Sequence, residues 1–294
     1  MQKFDEINEI NELLYNSMRF RNSQEFIKFM EYLGKLRNYS FYNAMLVHIQ
    51  NPSVTFFGTP KFLREKFKRI VKPDAKPYIA LKPFGPIMIV YDLVDTIGDK
   101  SVDEVLEMLK KIDSNSVKGK IADEVLWEII HNVEQYNIKI HRKFLEKFFD
   151  GYIQNTTNGQ MYVALNRSLN NEAMFVTIMH ELAHLMLGHL GDFELLTRNK
   201  KGELKQNCLI KSRKINKDFA ELEAETVSYL ISRKCLLTPP SASYLANFIK
   251  SEDMIKLLNF DLLIKTTDKI TSLFFDKDLF LRILSLNSDK TLFD

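Results

Sequence analysis

Apolar residues recur at helical spacing at the start of the chain, first as Ile7, Ile10 and Leu14, then as Phe26, Phe29, Met30 and Leu33. The pattern predicts two helices broken near Arg21-Asn22-Ser23, with Ser23 as the N-cap of the second. A third helix is expected over 39–49 and is ended by Asn51-Pro52. The period then changes. Segments 78–81 and 87–91 read as short strands, and Pro83-Phe84-Gly85-Pro86 between them reads as the turn of a β-hairpin. Helical spacing returns at 101–111, breaks at Ser114-Asn115-Ser116, and resumes at about 121–136, which holds Trp127. In the second half a strand over 161–165 leads through a polar turn into 171–187. That segment is apolar nearly all round, the mark of a buried helix, and Gly188 is placed to terminate it. A polar, basic loop is expected over 198–217 and a helix from 217 to about 234. A break follows at Pro239-Pro240, then more helical segments to the end.

The expected fold class is α+β, with N-terminal helices and a hairpin-containing sheet followed by a mainly helical part with a small sheet. A boundary near residue 110 divides the chain into 1–110 and 111–294.

Composition narrows this only slightly. Hydrophobic residues make up 45% of the 294 and charged residues 27%, enough apolar matter for a real core, which excludes disorder across the whole chain. The two cysteines, Cys208 and Cys235, exclude a disulfide framework and a cysteine-based zinc site, and both read as spectators. The first residues are polar and acidic, with no apolar core of a signal peptide, and no apolar run approaches the roughly 18–20 residues of a membrane span. These features lead to the expectation of a soluble cytoplasmic protein with no membrane partner.

The buried helix carries His180-Glu181-Leu182-Ala183-His184. Histidines at i and i+4 share one helix face, so both imidazoles can reach one metal ion, with Glu181 beside them as a general base. With six His and twenty Glu in 294 residues, the expected number of chance matches is about 0.01. Two core histidines without partners would be costly in so apolar a helix. Zn2+ suits this donor set, and a catalytic zinc takes three protein ligands and leaves one position open. His189 lies at an unsuitable offset. The longer motif with Gly three and His six residues after the second His is excluded, since those positions are Leu187 and Leu190. His189 therefore reads as a helix-end cation. The third ligand is sought in Glu221-Leu222-Glu223-Ala224-Glu225. Glu221 would bind the metal, Glu225 would hydrogen-bond a ligand histidine, Ala224 would allow close helix packing, and Glu223 would be a solvated charge. Tyr152, Tyr162 and Tyr229 are candidates for an oxyanion-stabilising hydroxyl.

The two helices together resemble the ImmA/IrrE-type metallopeptidases. Tyr39-Ser40-Phe41-Tyr42-Asn43 and Gln50-Asn51-Pro52, with Tyr91-Asp92 and Asp95-Thr96-x-Gly98 after the hairpin, resemble the N-terminal domain of ArdC-type antirestriction proteins. The chain departs from that pattern in having Phe56, Phe57 and Phe62 after the Gln-x-Pro segment, and Pro73-Asp74-Ala75-Lys76-Pro77 before the first hairpin strand. The resemblance implies a single-stranded-DNA-binding domain joined to a zinc metallopeptidase, with an antirestriction role on a mobile element. The alternatives are a repressor-cleaving regulatory protease and a DNA-binding protein with a purely structural zinc.

Charge changes the picture once it is placed along the chain. The total is only +3, but 60–82 holds eight basic residues against two acidic ones, and 198–217 holds eight against one. Lys61, Arg64, Lys66, Lys68, Arg69 and Lys72, interleaved with Phe62, Phe67 and Tyr78, have the composition of a single-strand binder, and equally of an amphipathic helix with its aromatics in the core. Tyr39, Asn43 and Gln50 join the candidate DNA contacts, although Asn43 and Gln50 could instead cap neighbouring backbone. The basic loop at 198–217 joins the two metal-binding helices and is expected at the rim of the cleft. Protein substrate and oligomeric state are left open.

Overall fold

A computed structural model describes residues 23–36, 39–82, 87–115, 119–146, 149–156, 159–198, 204–237 and 245–287. The chain begins with helices α1 (Ser23–Lys35) and α2 (Phe41–Gln50), then β1 (Phe57–Gly58), α3 (Pro60–Phe67), β2 (Arg69–Val71), β3 (Tyr78–Ala80), β4 (Met88–Asp92) and β5 (Thr96–Gly98). Helices α4 (Val102–Asn115) and α5 (Asp123–Glu134) lead to β6 (Ile138–Lys143), β7 (Gly151–Asn155) and β8 (Met161–Asn166). Helix α6 (Asn171–Met186), strands β9 (Phe193–Arg198) and β10 (Leu204–Ile210), and helix α7 (Lys217–Lys234) follow. Helices α8 (Glu252–Leu257), α9 (Phe260–Phe274) and α10 (Lys277–Asn287) close the described chain. The α+β expectation stands.

Helix starts follow local side-chain chemistry. Ser40, Thr59, Asn170 and Asn216 each accept an amide hydrogen bond from the first turn that follows, which satisfies a donor with no intrahelical partner. Ser23 departs from its expected role: α1 begins on it, and its amide and hydroxyl both donate to the Glu252 carboxylate, at 2.7 and 3.0 Å. The first expected helix, around Ile7 to Leu14, lies outside the described residues, as do the 83–86 turn and Pro239-Pro240.

The sheets are small. β3 and β4 pair antiparallel as expected, with Ile79 opposite Ile89, and β1 joins the other edge of β4. β2 and β5 form a separate antiparallel ribbon. β6 and β8 run parallel, and β7 pairs antiparallel on the far side of β8, which leaves β7 at an edge beside α6. The segment expected as a loop over 198–217 is different: Leu204–Ile210 is a strand paired with β9, irregular between Gln206 and Cys208. Its basic residues had suggested a solvated loop, but the alternation that would have marked a strand is interrupted at that irregularity.

The core is built around α6. Phe175, Ile178, Met179 and Leu182 are fully buried against Met161, Val163 and Leu165 of β8 and Leu222, Val227, Leu230 and Ile231 of α7. The N-terminal helices belong to the same core. The Phe26 ring lies 5.4 Å from that of Phe260, and Lys234 Nζ sits 5.3 Å from the Phe41 ring. Apolar packing therefore runs continuously across residue 110. Among the described residues, no helix is long and apolar enough to cross a membrane.

Candidate metal centre

Helices α6 and α7 pack antiparallel, as their cross-contacts show. Ser228 Oγ donates to the Val176 carbonyl at 3.1 Å, Glu225 lies against His180, and Glu221 lies between His180 and His184. Ala183 and Ala224 are fully buried, and their small side chains fit so close an approach. The expected ligands meet. His180 Nε2 and His184 Nε2 are 3.0 Å apart, and Glu221 Oε2 lies 3.4 Å from the first and 3.6 Å from the second. Donor atoms about 2.0–2.2 Å from a tetrahedral zinc stand about 3.3 Å from one another, so these three atoms have the spacing of one face of such a site. Among the described residues this is the one His/Cys/Asp/Glu group of that kind, and it offers three ligands. The Glu221 side chain is 32% exposed, so the site opens to solvent on that side.

The surrounding electrostatics favour a cation. The two imidazoles facing it, His180 first and then His184, hold the Glu221 carboxyl well below the usual carboxylate range. Burial opposes charge on His180, but the Glu221 hydrogen bond and the neighbouring Glu225 and Glu181 outweigh it, and its pKa is raised. Burial pushes Glu181 up against the pull of both histidines, and it pushes Glu225 up as well. Glu225 Oε1 stands 3.4 Å from His180 Nδ1 without forming a hydrogen bond, and that nitrogen is buried with no partner.

His189 and Glu223 overturn their expectations. Glu223 is fully buried rather than solvated. Arg213 donates to both its oxygens, at 2.7 and 2.9 Å, and His189 Nε2 lies 3.0 Å from Oε2. Burial opposes the Glu223 charge, but the bonds from His189 and Arg213 prevail and its pKa is lowered. His189 is not a solvated residue at the helix end: its side chain is buried between His184 and Glu223, and burial lowers its pKa against the influence of Glu223. The helix cap places it. Gly188 has φ +75°, its amide donates to the Leu185 carbonyl, and the His189 amide donates to the His184 carbonyl, which together form a Schellman motif. The residue after such a glycine folds back over the third-last helical residue. Here that contact joins His189 Nδ1 to His184 Nδ1 at 2.9 Å. A Cβ at Gly188 would collide with the Lys211 carbonyl, and the Arg213 amide donates to the Gly188 carbonyl at 2.8 Å. The glycine thus docks the exit of β10 and brings in Arg213, which the sequence reading missed. The one local signal was Gly188 itself, which predicts a partner for residue 184 at position 189.

The candidate DNA contacts divide. Asn43 is buried, and its side chain donates to the Leu81 carbonyl at 2.9 Å and accepts from the Leu81 amide at 2.7 Å. Gln50 does the same with Ile79, at 2.8 Å each way, so the two amides act as a substitute strand along the edge of β3. Capping of neighbouring backbone is therefore the role these two fill. The Tyr39 ring packs 4.5 Å from that of Phe57, and its hydroxyl accepts from the Thr59 amide. Arg69 is buried, with its guanidinium donating to Thr96 Oγ1, the Thr96 carbonyl and the Lys100 carbonyl. A group held this way is not available to phosphate. Phe62 and Phe67 pack edge to face with each other, and Phe56 lies against both, so the aromatics face the core. Lys61, Arg64, Lys66 and Lys68 are exposed, and Lys72 donates to the Val94 carbonyl.

Of the candidate tyrosines, Tyr229 is buried one turn beyond Glu225 on α7, and the Tyr162 ring stacks on His141 with Lys143 Nζ 4.6 Å from its centre. Comparison with protein-family models, with curated proteins and with solved structures finds no match.

Proposed function

We propose that the chain is a zinc-dependent peptidase with His180, His184 and Glu221 as metal ligands and Glu181 as general base. The observation that carries this reading is the triad itself, three donor atoms at 3.0, 3.4 and 3.6 Å with a buried carboxylate next to them in sequence. A bound zinc supplies Lewis acidity, activating a water and polarising the scissile carbonyl. Glu181 accepts the proton of the attacking water and passes it to the leaving nitrogen. The structural-zinc alternative is disfavoured by the exposure of Glu221 and by a set of three ligands among the described residues, because structural sites are closed by four. β7 is an edge strand beside α6, with its Ile153 amide on the Glu181 carboxylate, and an extended peptide adding to that edge would lie next to the general base.

The DNA-binding part of the reading rests on Lys61, Arg64, Lys66 and Lys68, four exposed basic side chains on α3 and at its C-terminal cap. They provide phosphate contacts that steer and position without reading bases. The antirestriction setting rests on the sequence resemblance.

The deciding experiment combines metal analysis of the purified chain with cleavage of casein by the wild type and by Glu181→Gln. The expectation is one zinc per chain in both, with cleavage lowered at least 100-fold in the variant. A variant that retains zinc and cleaves like the wild type would refute the role of Glu181. A wild type free of zinc would refute the metal site.

A further inference from the structure

Behind His184, on the side away from Glu221, stands a row of side chains that the ligand set does not require. His184 Nδ1 is 2.9 Å from His189 Nδ1, His189 Nε2 is 3.0 Å from Glu223 Oε2, and Arg213 holds both Glu223 oxygens at 2.7 and 2.9 Å. The order of protons along this row follows from chemistry. An ionised carboxylate only accepts, so His189 carries its proton on Nε2. In the neutral ring Nδ1 then has the lone pair, so the proton in the 2.9 Å contact belongs to His184 Nδ1. That leaves the lone pair of His184 on Nε2, the nitrogen that stands 3.0 Å from His180 Nε2 in the proposed ligand set.

We propose that His189 and Glu223 are positioning residues that lock metal ligand His184 in the one tautomer able to bind, with Arg213 anchoring the row to the exit of β10; this rests on the metal site proposed above. The other ligand shows what the row adds. His180 Nδ1 faces Glu225 Oε1 at 3.4 Å without a hydrogen bond, a looser contact than the 2.9 Å one at His184. Fixing the tautomer and ring orientation of a ligand histidine is worth about 10–100-fold in metal affinity. A purely structural ion pair would need Glu223 and Arg213 but not an imidazole interposed between Glu223 and His184.

The test uses the full chain stripped of metal. Nitrogen-15 spectroscopy of the imidazoles should find the His184 proton on Nδ1 in the wild type; finding it on Nε2 overturns the proposal without recourse to any variant. Zinc affinity is then measured by competition with a chromophoric chelator. His189→Leu, which cannot accept from His184, should bind about 10–100-fold more weakly. His189→Gln, whose amide can accept from His184 and donate to Glu223, should recover most of that loss. Equal affinity of the Leu variant and the wild type, or a Gln variant no better than the Leu variant, overturns the positioning role and leaves the metal site standing. A wild type that takes up no zinc removes the metal site and, with it, this proposal.

Discussion

Removing the Glu223 carboxylate should unfold the chain more readily than any surface substitution. Glu223 has 0% exposure and makes three contacts with two partners, Arg213 at 2.7 and 2.9 Å and His189 at 3.0 Å. Adding about 1.5–3 kcal/mol for each charge-assisted bond would overstate the effect, because the three bonds share one carboxylate and are not additive. The relevant quantity is the cost of leaving partners unpaired, about 3–5 kcal/mol when one member of a buried pair is deleted. The Arg213 side chain keeps 28% exposure, so water can partly resolvate its guanidinium. This places Glu223→Ala near the lower end, about 3 kcal/mol. The Lys61–Glu65 pair, at 3.9 Å with side chains 83% and 61% exposed, contributes at most about 0.5 kcal/mol by comparison. Combining Glu223→Leu with Arg213→Met leaves no unpaired charge and should cost less than Glu223→Ala alone. Urea unfolding of metal-free protein at neutral pH measures both, and removing the metal keeps binding linkage out of the comparison. The reasoning is refuted if Glu223→Ala loses less than about 1 kcal/mol at unchanged m-value, or if the double variant is the less stable.

Two further outcomes are expected. Asn43→Ala removes both bonds to Leu81 and should cost about 2 kcal/mol by denaturant unfolding while leaving oligonucleotide affinity, read by fluorescence anisotropy at two salt concentrations, unchanged; a stable variant with lost affinity would make the amide a ligand contact. His48 lies among Phe29 and Tyr32 with its Nδ1 buried and unpartnered, and burial pushes its pKa down to about 4. The folded state therefore favours the neutral ring, and its contribution is present above pH about 6.5 and lost as pH falls through about 4, up to about 3 kcal/mol. In His48→Phe this acid-side loss should disappear from the stability difference between pH 7 and pH 4, and parallel curves for variant and wild type would contradict it.

Local chemistry was legible because it repeats within one element. The apolar circumference of α6, its His180–His184 spacing and the glycine after it all lie within 18 residues of chain, Asn171 to Gly188. The caps Ser40 and Asn216 are just as local, with partners three residues away, although the one cap expected from the sequence was Ser23. The strands were harder to read. β1, β2 and β5 span two or three residues each, too few for an alternation to register. Asn43 and Gln50 were ambiguous because a side-chain amide bonds a strand edge or a ligand equally well, and only the arrival of β3 decides between them.

Glu223 marks the division most clearly. Its position two residues after Glu221 correctly placed it about 200° around the helix, away from the metal. Nothing in α7 says what covers that other side. The Gly188 turn supplies His189 and the end of the β9–β10 hairpin supplies Arg213, and together they turn a presumed solvated charge into a buried one. The sequence by itself determined which side chains share a helix face, because that depends on helical geometry alone. Which faces are buried, and beside which charges, was decided only by tertiary packing, because burial is a property of the partner surface and the partners here come from distant parts of the chain.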